Sequence, residues 1–460
     1  MELTKENKMS NTPMTKLILS MSLPAMFSML VQALYNVVDS VFVSHYSQDA
    51  LTAVSLAFPI QMLLIAVAVG TGVGLNSLVS RRLGEKRNEE ASQAATHGIV
   101  IGVASWIVFA IIGIFFTRMF FNAFTDKPEL IEMGTSYTSI VTIFSIGVFV
   151  EINIEKTLQA TGNMIYPMIF QLIGAITNII LDPIMIFGLL GFPKMGIAGA
   201  AVATVAGQIL SMIFSLYIVF TKTHDVKISF KNFKLKLNIL KDIYAVGVPS
   251  MIMQAIGSVL TTCLNGILIA FSNEAVSVLG IYFKLQSFIF MPVFGLTHGV
   301  MPIMGYNYGA RNKKRLLSAL SVGTVIAAII MAFGTLLFWI VPELLLKIFN
   351  ANDEVLRIGV IALRSISLSF IPAALGIMLS TLFQAVGMGG KSLFVSILRQ
   401  LVVILPVAYL LSKIGLDYVW YAFAIAEVFS FAASIFIFLH IKKKHIDILQ
   451  PSESDKIIVN

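Results

Sequence analysis

Long apolar blocks separated by short polar breaks make up most of the chain. Most of the blocks reach the length of about 20 residues that a helix needs to cross a hydrocarbon core of ~30 Å. Twelve blocks can be marked off, at 17–44, 51–80, 92–117, 130–157, 163–188, 195–221, 242–271, 276–305, 316–342, 355–384, 391–412 and 416–440. The pattern predicts an all-α polytopic membrane protein with twelve transmembrane helices.

The overall composition agrees with this prediction. Of the 460 residues, 57% are hydrophobic and 12% are charged, whereas a soluble domain has about 45–50% apolar and about 25% charged residues. The polar N-terminus lacks a small-residue cleavage site after a short apolar core, so no removable signal peptide is expected. Cys263 is the one cysteine and cannot form an intrachain disulfide. We expect it to be a small buried residue, and no Cys/His cluster has metal-ligand spacing.

Lysine and arginine are distributed unevenly between the two sides that the spans define. One side carries 23 of them and the other 7, while Lys284 and Arg399 lie inside spans. The richer side holds the N-terminus, residues 81–87, Lys156, the loop 222–241, residues 311–315, Lys391 and the C-terminal tail. Because positive residues stay on the cytoplasmic side of a membrane, we expect both termini in the cytoplasm. The same asymmetry accounts for the formal net charge of +8, so no nucleic-acid partner is expected.

The second half of the chain repeats the first at a constant offset of 225 residues. The repeat aligns "SLPAMFSMLVQA" (22–33) with "GVPSMIMQAIGS" (247–258), Gly70 with Gly295, Gly74 with Gly299, and "LQATG" (158–162) with "FQAVG" (383–387). Each half holds six spans and begins on the same side, so the halves are parallel repeats, a device of transporters. We therefore expect an N-lobe at 1–221, a basic cytoplasmic linker at 222–241, a C-lobe at 242–440 and a cytoplasmic tail at 441–460.

Two aspartates lie at a similar depth within spans of the first half. Asp39 is in the first span and Asp182 is in the fifth, both toward the outer side. Each has an asparagine on the same helix face, since Asn36 precedes Asp39 by three residues and Asn178 precedes Asp182 by four. Ionisable residues at membrane depth are expensive and usually mark function. The alternative is that each acid only forms a hydrogen bond with a neighbouring helix.

The groups around these aspartates allow two kinds of ion. Pro183 lacks an N–H and frees the carbonyl of Ile179 one turn back, and Thr204 in the sixth span is a further candidate oxygen ligand, or else a packing residue. Carboxylate, amide and carbonyl oxygens suit a hard cation such as Na⁺. Two acids in a low dielectric also suit a proton site. The pattern leaves H⁺ and Na⁺ open.

Other charged residues lie inside the predicted spans. Glu151 and Glu155 share a face near the cytoplasmic end of the fourth span, where they are either solvated interfacial acids or an inner station for a proton or a cationic substrate. Lys284 either lines a cavity, pairs with an acid or extends its head to the interface. Nothing in the sequence assigns a role to Arg399 or Glu427.

The sequence favours no enzymatic function. The glycine-rich stretch "GTGVGLNS" lacks the strand–turn–helix setting of a nucleotide site and is typical of close helix packing. Without a P-loop, ATP is not expected to be the energy source, and no organic cofactor is expected. An intramembrane aspartyl protease needs two facing aspartates at one depth, as Asp39 and Asp182 provide, but the Gly-x-Gly-Asp and Tyr-Asp contexts of such proteases are missing.

Several motifs resemble those of the multidrug and toxic compound extrusion (MATE) family, over roughly residues 15–440. They are "LPAMFSMLVQALYNVVDSVFVSHY" in the first span, "RRLGEKR" after the second, "LQATGN" after the fourth, "NIILDPIMIFG" in the fifth and "GIAGAAVAT" in the sixth. The resemblance implies two six-helix lobes around a central cavity. It also implies an antiporter of the cytoplasmic (inner) membrane that exports cationic drugs and other xenobiotics, driven by Na⁺ or H⁺ entry, and we expect a monomer.

The resemblance also assigns residues. The family's coupling-cation site corresponds to Asp39, Asn178, Asp182 and Thr204, with Na⁺, if it is the coupling ion, held by the first three. Apart from the resemblance, the residues themselves indicate possible support or cavity positions and hinges. The support or cavity positions are Tyr35, Asn36, Glu151, Glu155, Lys284 and Gln254, and the expected hinges are Pro24 and Pro183. Glu155 matches an acid that some members use near the cytoplasm. Gln254 and uncharged neighbours stand where one branch has an acid in the seventh span, so a cation site in the C-lobe is not expected.

One alternative function belongs to the same superfamily. A flippase for lipid-linked precursors would be expected to carry more cations in its cavity to bind pyrophosphate. Lys284 and Arg399 are the only candidates for that role in the sequence. The export of small organic cations is therefore the preferred prediction.

Overall fold

The computed structural model describes residues 7–231 and 233–449. Within these ranges it does not describe the side chains of Asn36, Val37, Asp39, Ser40, Val41, Ser44 and Gln48. All regular structure in the described ranges is helical. The all-α prediction is confirmed.

The helices of the first half follow one another with short connections. They are α1 (Lys8–Asn11), α2 (Met14–Tyr46), α3 (Gln48–Gly84), α4 (Asn88–Phe115), α5 (Thr117–Phe124), α6 (Pro128–Ile143), α7 (Ile146–Ala160), α8 (Ile165–Phe187) and α9 (Ile197–Thr221). Ser47 caps α3 by accepting a hydrogen bond from the backbone N–H of Ala50 at 2.9 Å. Gly188, in the left-handed conformation with φ +74°, ends α8.

The second half has a matching series of helices. They are α10 (Leu237–Leu268), α11 (Asn273–Gly309), α12 (Lys313–Ile340), α13 (Pro342–Lys347), α14 (Asp353–Ser367), α15 (Phe370–Ala385), α16 (Gly389–Ile397), α17 (Leu405–Ser412), α18 (Leu416–Val419) and α19 (Tyr421–Ile441). A π-helical segment, Leu398–Ile404, joins α16 to α17, and another, Lys442–Ile446, follows α19. Ser272 caps α11 through the backbone N–H of Ala275, as Ser47 caps α3.

Ten spans in the described part of the chain are long and apolar enough to cross a membrane. Two bent pairs, α6 with α7 (44°) and α14 with α15 (48°), bring the number to twelve if each pair is one span. The predicted set of transmembrane helices is confirmed, but the spans 130–157 and 355–384 are not straight. The hydroxyls of Ser145 and Ser369, at the two breaks, donate to the carbonyls three residues back at 2.7 Å. Such local bonds compete with the helical ladder and bend it.

The chain divides into two compact units. The first unit comprises residues 27–251, and the second comprises residues 1–26 together with 252–460. The boundaries fall inside α2 and α10, two residues after Pro24 and Pro249 and separated by the repeat offset of 225. The predicted boundaries of the lobes at 221 and 242 stay a prediction. The boundaries at 26 and 251 describe compactness alone and do not test them.

Glycines of the repeat make equivalent contacts inside the two units. In the first unit, a Cβ on Gly74 of α3 would collide with the backbone of Ile243 and lie 3.0 Å from the nitrogen of Gly247 on α10. In the second unit, a Cβ on Gly299 of α11 would lie 2.9 Å from the backbone of Ser22 on α2. Gly74 and Gly299 are aligned by the repeat, as are Ser22 and Gly247. The sequence repeat is therefore also a repeat of helix contacts.

Cys263 is exposed on α10, so the prediction that it is buried was wrong. A soluble helix hides its apolar side chains in a core. A membrane helix is apolar on its outward face as well, so an apolar context does not distinguish packed from exposed positions.

The linker between the repeats is attached to the beginning of α4. His97, which is buried, accepts a hydrogen bond at Nε2 from the backbone N–H of Lys236 at 2.9 Å. Its Nδ1 lies 2.7 Å from the carbonyl oxygen of Gln93, and its ring lies 4.8 Å from that of Phe233. The backbone N–H of Ser229 donates to the hydroxyl of Thr96 at 3.3 Å. The linker is mostly exposed but is attached to α4 at these points.

Replacing His97 by alanine is expected to release this linker. The backbone N–H of Lys236 would lose its acceptor, a cost of about 1 kcal/mol, which raises the population of the opened segment about fivefold. Trypsin should then cleave after Lys227 or Lys231 about fivefold faster, as followed on gels. His445→Ala, outside the linker, is the control. Equal cleavage rates would contradict the attachment.

Candidate functional site

Small residues bring α8 and α9 into close contact. A Cβ on Gly207 of α9 would lie 2.6 Å from the carbonyl oxygen of Gly174 on α8, and one on Gly199 would lie 2.5 Å from that of Met185. The turn between the helices is closed by a hydrogen bond of 3.0 Å from the backbone N–H of Met195 to Met185. Polar side chains on the facing surfaces of α8 and α9 are thereby held within hydrogen-bonding distance.

Three of the predicted site residues meet between these helices. The Nδ2 of Asn178 donates to Oδ1 of Asp182 and to Oγ1 of Thr204, both at 3.2 Å. Asp182 is fully buried, with 0% exposure, and Asn178 is 2% exposed. We call Asn178, Asp182 and Thr204 the α8–α9 triad. The structure places these residues together, and their role in ion coupling stays a prediction.

The triad offers oxygen atoms to a ligand. Asn178 uses its amide N–H groups on Asp182 and Thr204, and within the described part of the chain its buried Oδ1 receives no hydrogen bond. Buried polar atoms usually find a partner, so this oxygen is a candidate ligand atom. Amide, hydroxyl and carboxylate oxygens fit a hard cation. Among the described residues, no group of three or more His, Cys, Asp or Glu side chains is placed to hold a metal ion.

The remaining predicted residues near this site lie on α2. The side chains of Asp39 and Asn36 lie outside the described part of the structure, although their backbone belongs to α2. Tyr35 is half-buried on the same helix. The predicted hinges Pro24 and Pro183 lie inside α2 and α8, which continue on both sides of them. Their function as hinges stays a prediction.

A second polar cluster lies on α7 and is buried. The Nζ of Lys156 donates to Oε1 of Glu155 at 2.9 Å and to Oε1 of Gln159 at 3.1 Å. The Nε2 of Gln159 donates to the same Glu155 oxygen at 2.8 Å, and Nε2 of Gln171, on α8, donates to Oε2 at 2.9 Å. We call Glu155, Lys156, Gln159 and Gln171 the α7 cluster. Both oxygens of Glu155 are thus satisfied by donors.

Burial of this cluster corrects the assignment of Lys156 and bears on the alternatives for Glu155. Lys156 is 4% exposed, although it was counted with the basic residues of the cytoplasmic side. Glu155 is 3% exposed, which goes against its interpretation as a solvated interfacial acid. Glu151, one turn earlier, is also buried, and within the described residues its Oε1 receives no hydrogen bond. Gly72 on α3 leaves space for the Lys156 stem, because a Cβ there would lie 2.6 Å from Lys156 Cγ.

Sequence reasoning missed three members of the α7 cluster. Lys156 was assigned to the basic side by charge alone, and Gln159 and Gln171 were not considered. Gln159 carried a signal, since it belongs to the motif "LQATG" that recurs as "FQAVG". Gln171 is an amide within an apolar block, and its partner sixteen residues earlier becomes evident only when α7 and α8 pack.

The second unit contains the other predicted positions. Lys284 is exposed, and its Nζ lies 5.8 Å from the centre of the Phe349 ring, which is a weak cation–π contact. Gln254 is exposed on α10. Arg399 and Glu427 form an ion pair with an N–O distance of 3.6 Å. The cavity roles of Lys284 and Gln254 stay predictions.

Comparison with known proteins identifies the family. The MatE family profile matches residues 24–184 and again residues 249–410, and the two matches begin 225 residues apart. Multidrug export protein MepA of Staphylococcus haemolyticus is 26% identical over 431 residues, covering 93% of this chain and 94% of the relative. MepA of Staphylococcus aureus (strain MRSA252) is 26% identical over 439 residues with the same coverage.

A solved structure agrees over nearly the whole chain. The outward-facing conformation of a multidrug resistance MATE family transporter of the MOP superfamily aligns with a TM-score of 0.90 at 28% identity. The alignment covers 96% of this chain and 100% of that one. Since the family profile matches most of the chain, once in each repeat, the chain belongs to the MatE family of multi-pass membrane transporters.

Proposed function

We propose that this protein exports cationic or amphipathic organic compounds by alternating access, in exchange for H⁺ or Na⁺. The observation that carries the proposal is the α8–α9 triad, in which a fully buried aspartate is linked through Asn178 to Thr204. An ionisable group at membrane depth is costly and is typical of ion pathways. The relatives named as multidrug export proteins support the class of cargo.

The triad can serve either coupling ion. For Na⁺, the ligands would be carboxylate oxygens of Asp182, Oδ1 of Asn178 and the hydroxyl of Thr204, with Asp39 added on the sequence prediction. The bound Na⁺ would neutralise the buried negative charge. For H⁺, the proton would bind directly to an oxygen of Asp182, while the Asn178 amide orients the carboxyl group. In both cases the net charge of the site around Asp182 changes during the cycle.

Coupling requires that the ion bind the two conformations with different affinity. We assign the bending to α2 near Pro24 and to α8 near Pro183. A proline removes one helical hydrogen bond and makes a helix easier to bend at that point. Ion binding at the triad would favour the bent form and so release the cargo outward.

The α7 cluster supplies the inner station of the cycle. The ammonium of Lys156 lies 2.9 Å from Oε1 of Glu155 and neutralises its charge. An organic cation carries the same charge and can compete for Glu155 and the neighbouring Glu151. Cargo binding would then displace Lys156, and the free carboxylate oxygens would be shared with the bound cation.

The test uses purified protein in liposomes with a fluorescent organic cation. A Na⁺ gradient and a pH gradient are imposed separately, and we expect one of them to drive accumulation of the dye at least tenfold above protein-free liposomes. If only the Na⁺ gradient drives accumulation of the dye, we infer that the oxygen atoms of the triad bind Na⁺. If only the pH gradient drives it, we infer that the triad binds a proton. If neither gradient moves the dye, coupled export is refuted, and a flippase for lipid-linked precursors becomes the preferred function.

A further inference from the structure

Arg399 and Glu427 form an ion pair inside the second unit. Arg399 lies on the π-helical segment Leu398–Ile404, and Glu427 lies in the first half of α19. The side chain of Glu427 is 5% exposed and that of Arg399 is 29% exposed. The pair therefore has a buried acidic end and a partly open basic end.

The pair is loosely made. The distance from NH1 of Arg399 to Oε2 of Glu427 is 3.6 Å, whereas a charge-assisted hydrogen bond measures about 2.7–2.9 Å. Within the described part of the chain, the buried Oε1 of Glu427 receives no hydrogen bond. A Cβ on Gly376 of α15 would lie 3.3 Å from that oxygen, so the carboxylate faces a helix surface without a side chain. A buried carboxylate with one unsatisfied oxygen is poorly stabilised in its ionised form.

The surroundings of Glu427 contain few charges. Among the described residues, Arg399 from the π-helical segment is the ionisable group whose charge acts on Glu427. The helices α14 to α18, which pack on or near α19, add no further charge to this set within the described residues. The ring of Tyr282 lies 5.8 Å from that of Phe423, one turn before Glu427, and 6.5 Å from that of Phe338. Glu427 itself is 4% exposed, so little water reaches its carboxylate.

The backbone at Arg399 is unusual. A π-helical segment of seven residues is less stable than an α-helix and is found mostly at functional sites. Here it carries Arg399, the cation that faces Glu427 among the described residues.

We propose that Glu427 is a proton-binding carboxyl of the second unit and that Arg399 is its built-in counter-charge. When a proton from water binds to the carboxylate, the acid becomes neutral, the ion pair breaks, and the guanidinium turns toward its exposed side. When the proton leaves, the pair re-forms. This site is separate from the α8–α9 triad, and only its use in transport rests on the proposed function.

Infrared difference spectroscopy of the purified protein tests the inference without transport. Samples are titrated from about pH 9 to about pH 5, the range documented for buried carboxyls. The wild type should gain a C=O band of a protonated carboxyl that Glu427→Gln lacks. Arg399→Gln should move the midpoint of this band upward by about one to three pH units, because the opposing charge is lost.

A matched control exists in the same unit. Glu354 and Arg357 form an exposed ion pair at 2.8 Å on α14, so Glu354→Gln and Arg357→Gln should leave the band and its midpoint unchanged. Absence of the band from both the wild type and Arg399→Gln would overturn the inference and leave Glu427 as a permanently ionised structural partner.

A second measurement covers the case in which a variant fails to fold. Dicyclohexylcarbodiimide reacts with protonated carboxyls, and peptide mass spectrometry of the wild type should show Glu427 modified at about pH 5 but not at about pH 9. Equal modification at both values, or none at either, would count against the proposal. If Glu427 shows this pH-dependent modification but the protein does not export the dye, coupled export is refuted. The proton-binding site at Glu427 is then still supported.

Discussion

Replacing Asp182 by asparagine is expected to abolish export of a fluorescent organic cation, with a loss of tenfold or more in the coupled rate. Asparagine has nearly the same shape and can still accept the hydrogen bond from Asn178, so the fold should survive. What disappears is the negative charge that would hold the coupling ion. The rate is measured in liposomes under whichever gradient drives the wild type, together with thermal stability in detergent.

Asp126→Asn is the matched control for this change. Asp126 is an exposed acid in the connection between α5 and α6, so the same chemical change there should leave export within twofold of the wild type. Full export by a folded Asp182→Asn variant would refute the assignment of the triad as the coupling site. Loss of stability together with export would make Asp182 a structural residue.

Replacing Gly207 by alanine is expected to separate α8 from α9 and to destabilise the protein. The added Cβ would lie 2.6 Å from the carbonyl oxygen of Gly174, a backbone atom one turn before Asn178 that cannot move aside as a side chain would. Overpacking of this kind costs about 1–3 kcal/mol. The midpoint of thermal unfolding in detergent should fall by several degrees, and export should fall with it, because the Asn178–Thr204 contact would lengthen.

Gly257→Ala is a control with the same chemistry. Gly257 lies inside α10, and a Cβ there would meet no atom within 4 Å. Alanine is the better helix former by about 1 kcal/mol, so this variant should be as stable as the wild type or more so. An unchanged midpoint for Gly207→Ala would show that the α8–α9 contact tolerates a methyl group and that close packing does not hold the triad.

The arrangement of helices was accessible from the sequence because the membrane imposes a simple rule. Apolar length alone marks a span, and a constant offset marks the repeat. The contact between Asn178 and Asp182 was also accessible, since residues four apart share one helix face. For Thr204 the sequence left a ligand and a packing residue open, because its contact with Asn178 depends on how closely α8 and α9 approach.

Burial and long-range pairing were not accessible. A count of charges places Lys156 with the cytoplasmic lysines. Only the packing of α3 against α7 shows that its side chain is buried within the protein. Arg399 and Glu427 are 28 residues apart on different segments, and no periodicity relates them. The bends beside Ser145 and Ser369 depend on whether the serine hydroxyl donates a hydrogen bond to a backbone carbonyl of its own helix. The hydropathy of the sequence carries no information about that bond.

The exchange of helix segments between units has a consequence for biosynthesis. Residues 7–26 emerge first from the ribosome but pack within the second unit, where the hydroxyl of Ser22 donates to Leu296, 274 residues further along. At about 5–20 residues per second, Leu296 is made roughly 14–55 s later. Arg315, which donates to the carbonyl oxygens of Met9 and Thr12, follows later still. The first part of α2, residues 14–26, therefore enters the bilayer before the helices that it packs against in the second unit have been made.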